Sequence, residues 1–309
     1  MSIDSSNKVM RPNFIALDAL RFMLALYVVL FHTVSHVTAQ TWMGGILSYG
    51  YFATSTFFIL SGFLLAHVYS ADGGDRTLRA VPYWTFLKRR LANVYPLHVL
   101  STALVVAIYV LLPDAAAVDG ARQPDLNFVR FNRLDSSTLD QVEHVVEGWE
   151  FALVMGLNAL LLQAWNPFYL TLNVPVWSIS VLLFFYVVFP FLATPLLRTR
   201  CPLAVMLVLA LISLLPVAVC FHMGWLGMPE TGILHRNPII RLPEFMAGIV
   251  LYAVYRRSSE EGRSIPLWVI SALLAIFGGS VWAGYGSVMH SLGSPLKGSG
   301  FTFFFTMGC

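Results

Sequence analysis

Apolar residues in this chain come in long blocks, with little alternation and little amphipathic striping. The first block covers roughly positions 14–34. Others lie at about 46–69, 94–112, 151–162, 176–197, 203–222, 239–255 and 267–290. A helix needs about 20 apolar residues to cross a bilayer core. Backbone polar groups must find partners within the segment there, so such blocks predict helices. The predicted fold class is therefore all-α: a polytopic transmembrane helix bundle of about seven to eight spans plus one partial segment. The partial segment is 151–162, which is short for a crossing and is expected to be partial or re-entrant. Residues 300–309 read as the start of another span, so the bundle is expected to be incomplete at its C-terminus.

Charge placement orients these spans. Lys8 and Arg11 precede the first block, as in a signal peptide, but Asp18 and Arg21 lie within it and more spans follow, so an uncleaved helix is expected. Arg76, Arg79, Lys88, Arg89 and Arg90 cluster between the second and third blocks. Arg198, Arg200, Arg256, Arg257 and Arg263 follow later blocks. By the positive-inside rule all of these are cytoplasmic, which requires a cytoplasmic N-terminus and a non-crossing 151–162. The expected location is a bacterial inner (plasma) membrane. The chain reads as one domain over 1–309, with no internal repeat.

Composition narrows the function classes. The 309 residues are 57% hydrophobic and 11% charged. Soluble domains carry about 25% charge. A net charge of +3 is too small to suggest a nucleic-acid partner. Cys201, Cys220 and Cys309 show no paired spacing, so neither a disulfide framework nor a zinc module is expected.

Against this apolar background the ionisable residues stand out, because intramembrane charge is costly and tends to mark function. Arg21 and His32 are eleven positions apart, nearly on one helical stripe and about 16–17 Å apart along the axis. Asp18 is positioned to pair with Arg21, and His36 follows His32 by one turn; with no third ligand evident, no metal site is expected. Lys88-Arg89-Arg90 is either a lipid-headgroup contact or a phosphate-binding cluster. Ser178, Leu182 and Tyr186 form one stripe after Trp177, and Arg241 and Glu244 are spaced for an ion pair.

Taken in order, these blocks resemble the integral-membrane acyltransferases of family 3. The resemblance runs from about residue 12 to 290. It is carried by Arg21 and His32 with ten residues between them, by Ser61-Gly62-Phe63, and by Lys88-Arg89-Arg90 leading to Tyr95-Pro96. It continues through Asn158 to Trp165, then Asn173, Pro175, Trp177, Ser178 and Tyr186, and ends on Arg241, Glu244, Phe245 and Gly248. It implies an enzyme that transfers acyl groups other than aminoacyl groups. The donor is acyl-CoA as co-substrate, with no bound cofactor. The acceptor is a hydroxyl of a carbohydrate or lipid-linked sugar, and membrane lipids are further partners. Two positions depart from the family pattern: Asn93 replaces a second arginine, and Leu182 replaces a glutamate. Those two roles do not carry over.

The resulting assignment has His32 as general base, Glu244 as its orienting acid, and Arg21 and Arg90 holding the donor diphosphate. Trp177, Ser178, Tyr186 and Arg241 are assigned to the acceptor or to structure. The alternative is a degenerate or truncated, non-catalytic relative that binds donor or lipid. A small-molecule transporter ranks below it, since no repeat is found.

Overall fold

The computed structural model describes residues 15–38, 50–71, 76–111, 127–135, 138–225 and 227–262. Helix α1 spans Ile15–Thr38, α2 Gly50–Tyr69 and α3 Tyr83–Leu111. Strands β1 (Phe128–Asp135) and β2 (Thr138–Val145) follow, then α4 (Gly148–Ala159). Helices α5 (Trp177–Leu197), α6 (Pro202–Met223), α7 (Glu230–Arg236) and α8 (Pro238–Glu260) complete the described fold. The predicted run at 267–290 and the 300–309 segment lie outside the described residues.

Among the described residues four helical stretches are long and apolar enough to cross a membrane: Tyr83–Leu111, Val174–Leu197, Pro202–Cys220 and Glu230–Glu260. A shorter apolar helix covers Ala53–Tyr69. The twelve residues of α4 rise only about 18 Å, short of the roughly 30 Å hydrocarbon core.

The all-α expectation needs one correction. β1 and β2 form an antiparallel hairpin between α3 and α4. Its register sets Arg130 opposite Glu143, Arg133 opposite Asp140, Phe131 opposite Val142 and Leu134 opposite Leu139. The register thus makes cross-strand partners of oppositely charged and of apolar residues, a sequence pattern that favours paired strands. This matched sequence lies outside every apolar block, so a search for membrane helices passes over it.

The core is formed by α2, α5 and α8, which run parallel. Phe63 meets Tyr252 near one end, and Ser55 meets Arg241 and Glu244 toward the other. Two glycines set the α2–α8 spacing. A Cβ on Gly62 would lie 2.0 Å from Phe245 O, and one on Gly248 would lie 1.9 Å from Ile59 O. Without driving force from water, membrane helices associate through such close backbone approach at small residues. Around this crossing Phe185 stacks on Phe245 at 4.8 Å and meets Phe58 edge-on at 5.2 Å. Each aromatic pair contributes about 0.5–1.5 kcal/mol beyond burial.

Helix α8 has a built start. The Asn237 side chain accepts from Ile239 N at 2.9 Å, and Pro238 occupies the first turn, where no amide hydrogen is needed. This fixes where α8 begins, and so places Arg241 about one turn and Glu244 nearly two turns inside it.

Candidate active site

Glu244 is 4% exposed on the α2-facing side of α8. Its Oε1 accepts from Arg241 Nη1 at 2.9 Å and from Ser55 Oγ at 3.0 Å. Arg241 Nη2 in turn donates to Ser55 Oγ at 3.1 Å, closing a three-membered ring. Glu244 Oε2 is buried and has no hydrogen-bond partner among the described residues. One carboxylate oxygen is thus held twice while the other keeps its lone pairs open. The Arg241 guanidinium also lies over the Phe58 ring at 5.6 Å. Sequence spacing indicates the Arg241–Glu244 pair; it gives no sign of Ser55, which joins from another helix 189 residues away from Glu244.

A second polar focus lies toward the opposite end of α5. Arg90 Nη2 donates to the Tyr69 hydroxyl at 2.9 Å, and its guanidinium sits 4.8 Å from the centre of that ring. Arg90 Nε is buried without a hydrogen-bond partner among the described residues. Of the basic triplet, Lys88 and Arg89 are exposed and Arg90 is half-buried. Tyr186, on α5, lies within electrostatic reach of Arg90 and Arg21. Helices α1, α3 and α5 each contribute one of these three residues. The Arg21 side chain is exposed, and no ion pair joins it to Asp18 among the described residues. His32 and His36 lie on α1, but their side chains fall outside the described residues.

The stripe that carries Tyr186 is distinct from the one that packs the core. Trp177, Val181, Phe185 and Phe189 are buried, whereas Ser178, Leu182 and Tyr186 are half-buried one position around the helix. Leu182 packs against the core as an ordinary apolar residue. Ser178 Oγ donates locally to Pro175 O at 3.2 Å. Trp177 meets Phe58 edge-on at 6.1 Å, so Phe58 lies between Trp177 and Arg241.

Ser180, two residues beyond Ser178, has the wider reach. Its buried hydroxyl donates to Leu161 O at 2.6 Å and accepts from Ala164 N at 3.3 Å. Leu161 has φ +55°, the left-handed region, a conformation that costs a non-glycine residue about 1–3 kcal/mol unless its surroundings fix it. Asn158, at the end of α4, donates to Val154 O and to Thr171 Oγ1. The Asn158 carbonyl faces His98 Nε2 at 3.0 Å. A carbonyl only accepts, so Nε2 carries the hydrogen in this contact. Tyr95 donates to Ala159 O at 3.0 Å. The short helix α4 thus ends against the middle of α3, where polar side chains satisfy the turn that brings the chain back to α5. That turn separates α4 from α5. Its anchors, His98 and Ser180, had no distinguishing sequence signal beyond being polar residues in apolar runs.

Among the described residues no group of three or more His, Cys, Asp or Glu side chains is arranged to hold a metal.

Comparison with known proteins follows the same residues. An acyltransferase domain model, that of acyltransferase family 3, matches residues 14–309. The chain belongs to this family. It is thereby a transferase of acyl groups other than aminoacyl groups, and its apolar helices fit an integral membrane protein. It is 36% identical over 172 residues to "Protein 2 in picA locus" of Rhizobium radiobacter, covering 54% of this chain and 75% of that protein. It is 29% identical over 248 residues to "Acyltransferase MdmB" of Streptomyces mycarofaciens, covering 74% of this chain and 52% of that one. The chain thus spans about half the length of MdmB. No solved structure matches.

Proposed function

We propose that the protein moves an acyl group from acyl-CoA to a hydroxyl of a carbohydrate or lipid-linked sugar. The observation that carries this reading is a pair of guanidinium groups, Arg21 on α1 and Arg90 on α3, that have no carboxylate partner among the described residues, with Arg90 Nε buried and unbonded there. Such cations suit a diphosphate. The N-terminus lies in the cytoplasm of a bacterial plasma membrane, so this cationic end faces the compartment that holds acyl-CoA. The pantetheine arm extends along α1 toward His32, about 16–17 Å up the helix from Arg21.

At the thioester, neutral His32 takes the proton of the acceptor hydroxyl as its oxygen attacks the carbonyl carbon. The C–S bond breaks, the acyl ester forms, and the proton passes from His32 to the departing CoA thiolate. Glu244 orients the base through Oε2, the oxygen left open by Ser55 and Arg241. In this role the carboxylate on α8 takes the place of the acid absent at Leu182.

The test is transfer from radiolabelled acyl-CoA in membranes carrying the parent chain or His32→Ala. A loss of about 10²–10⁴-fold is expected. Unchanged transfer would remove His32 as the base. Acyl-CoA binding without product across a panel of sugar acceptors would favour the non-catalytic relative.

A further inference from the structure

Arg236, the last residue of α7, is a cation that the acyl-transfer reading leaves unused. It is 1% exposed. Its Nε donates to Asn166 O at 2.9 Å, while Nη2 is buried with no hydrogen-bond partner among the described residues. No carboxylate forms an ion pair with it among those residues. Its seat depends on Gly232, where a Cβ would come 2.9 Å from Nη2 and 1.9 Å from Pro167 O. The preceding residue, His235, places its ring 4.8 Å from that of Trp177.

A second open valence flanks the same short segment. Gln163 donates to Val176 O at 3.2 Å, yet its Oε1 is buried without a partner among the described residues. An enclosed guanidinium without a counter-charge is costly. Its planar fork matches phosphate oxygens in a way that an amine does not. Phosphate oxygens would satisfy the open Arg236 Nη2, and a hydroxyl would satisfy Gln163 Oε1.

We propose that Arg236 is the phosphate-recognition residue of the acceptor site, and that the acceptor is a sugar joined to phosphate, with Gln163 Oε1 taking a sugar hydroxyl. This rests on the acyl-transfer reading and narrows its acceptor class. The ligand reaches Nη2 past the Asn166–Pro167 connection, which is not part of a core helix, while Nε keeps its bond to Asn166 O.

Binding can be read without acyl donor. The full chain in nanodiscs is heated with one of three probes: a short polyprenyl diphosphate N-acetylglucosamine, N-acetylglucosamine 1-phosphate, or the neutral octyl glycoside of that sugar. The two phosphate-bearing probes are expected to raise the melting temperature and the glycoside is not. A larger shift with the lipid-borne probe identifies a membrane acceptor; equal shifts identify a soluble sugar phosphate. In Arg236→Gln the half-saturating concentration should rise roughly tenfold or more, the loss expected for a charged hydrogen bond. Ligand-free Arg236→Gln should melt at or above the parent temperature, because the amide still reaches Asn166 O and a lone buried charge is gone. Arg236→Lys should retain part of the phosphate response.

Three results would overturn the assignment. One is an equal shift with the neutral glycoside, or none with any probe. Another is an undiminished phosphate response in Arg236→Gln. The third is a marked fall in the melting temperature of that variant, which would make Arg236 a structural clamp. Intact phosphate shifts without acyl transfer would defeat the acyl-transfer reading and leave the anion site standing. Efficient transfer with no phosphate preference would do the reverse.

Discussion

Along α8, Phe245, Ala247, Ile249 and Val250 have no exposed surface, whereas along α3 Leu100, Val110 and Leu111 are each more than 60% exposed. Both helices are long and apolar enough to cross a membrane, so the difference lies in what they touch. α8 is enclosed by α2 and α5, with Gly62 and Gly248 letting α2 and α8 approach closely. α3 presents most of its length outward. The functional groups divide along the same line. The Ser55–Arg241–Glu244 ring sits in the enclosed half, where packing fixes each rotamer. Arg21 and Arg90 sit on the open helices α1 and α3, where a guanidinium can move to meet a phosphate. In the proposed mechanism the carboxylate that orients the base draws on the first setting, and the guanidinium groups that hold the donor draw on the second.

The most severe way to break the enclosed half is to widen it. Gly248→Leu drives a side chain into Ile59 O and Phe63 N, both backbone atoms of α2. Overpacking usually costs about 1–3 kcal/mol and more where backbone must move. Loss of the cooperative thermal transition in detergent is expected, while Gly156→Leu, whose Cβ meets nothing within 4 Å, should leave it nearly unchanged.

Within a folded enclosed half, Glu244→Gln tests orientation. The amide still accepts from Ser55 and Arg241 through its oxygen, but it offers an N–H where Oε2 offered lone pairs. A fall in kcat of about 10²-fold, at the low end of acid–base contributions, is expected with the KM for acyl-CoA unchanged. The open half should respond the other way. Arg90→Ala should raise the KM for acyl-CoA by roughly 10–100-fold, from the loss of a charged hydrogen bond, with a smaller change in kcat. If both variants shift the same parameter, the division of labour between the halves is wrong.

The sequence made some of this legible. Helix positions followed from apolar runs, and the short 151–162 run pointed to a segment that turns back. Arg21, Arg90 and Glu244 were visible because charge in an apolar run is costly. Ser55, Ser180, His98 and Arg236 were not. The first three are polar residues of ordinary type in apolar helices, and their partners lie 189, 19 and 60 residues away. Arg236 precedes Asn237-Pro238 in a segment that reads as a loop, and only its enclosure by Gly232 and Pro167 sets it apart. The hairpin was hidden for a different reason: its signal is cross-strand matching, which appears only once the register is known.

Ser180 gives a smaller effect that joins the enclosed half to the turn after α4. Ser180→Ala leaves Leu161 O and Ala164 N without this partner, a loss of about 1–3 kcal/mol for buried groups. The melting temperature should fall while kcat and both KM values hold in the folded fraction. A selective kcat loss would instead move Ser180 into the reacting site.

The smallest expected effect lies at the hairpin, outside the spans. Glu150 accepts hydrogen bonds from the Tyr169 hydroxyl and contacts His144 Nε2 at 2.8 Å. The Tyr169 hydrogen bond first, and His144 after it, hold the Glu150 carboxyl below its usual value of about 4.5, against the opposing effect of burial. Burial and the same carboxylate push the Tyr169 phenol up. Because the folded value of Glu150 is depressed, its contribution is complete above about 4.5 and is lost as the pH falls through the lower folded value. The pair is partly exposed, so the contribution is held under about 1 kcal/mol by solvent screening. Acid titration followed by the fluorescence of neighbouring Trp149 should show a step below pH 4.5 in the parent. In Tyr169→Phe that step should move up toward the ordinary carboxylate value, since the main cause of the depression is gone. A step that stays where it was would assign the transition to another carboxylate and detach the hairpin from the loop that Tyr169 occupies.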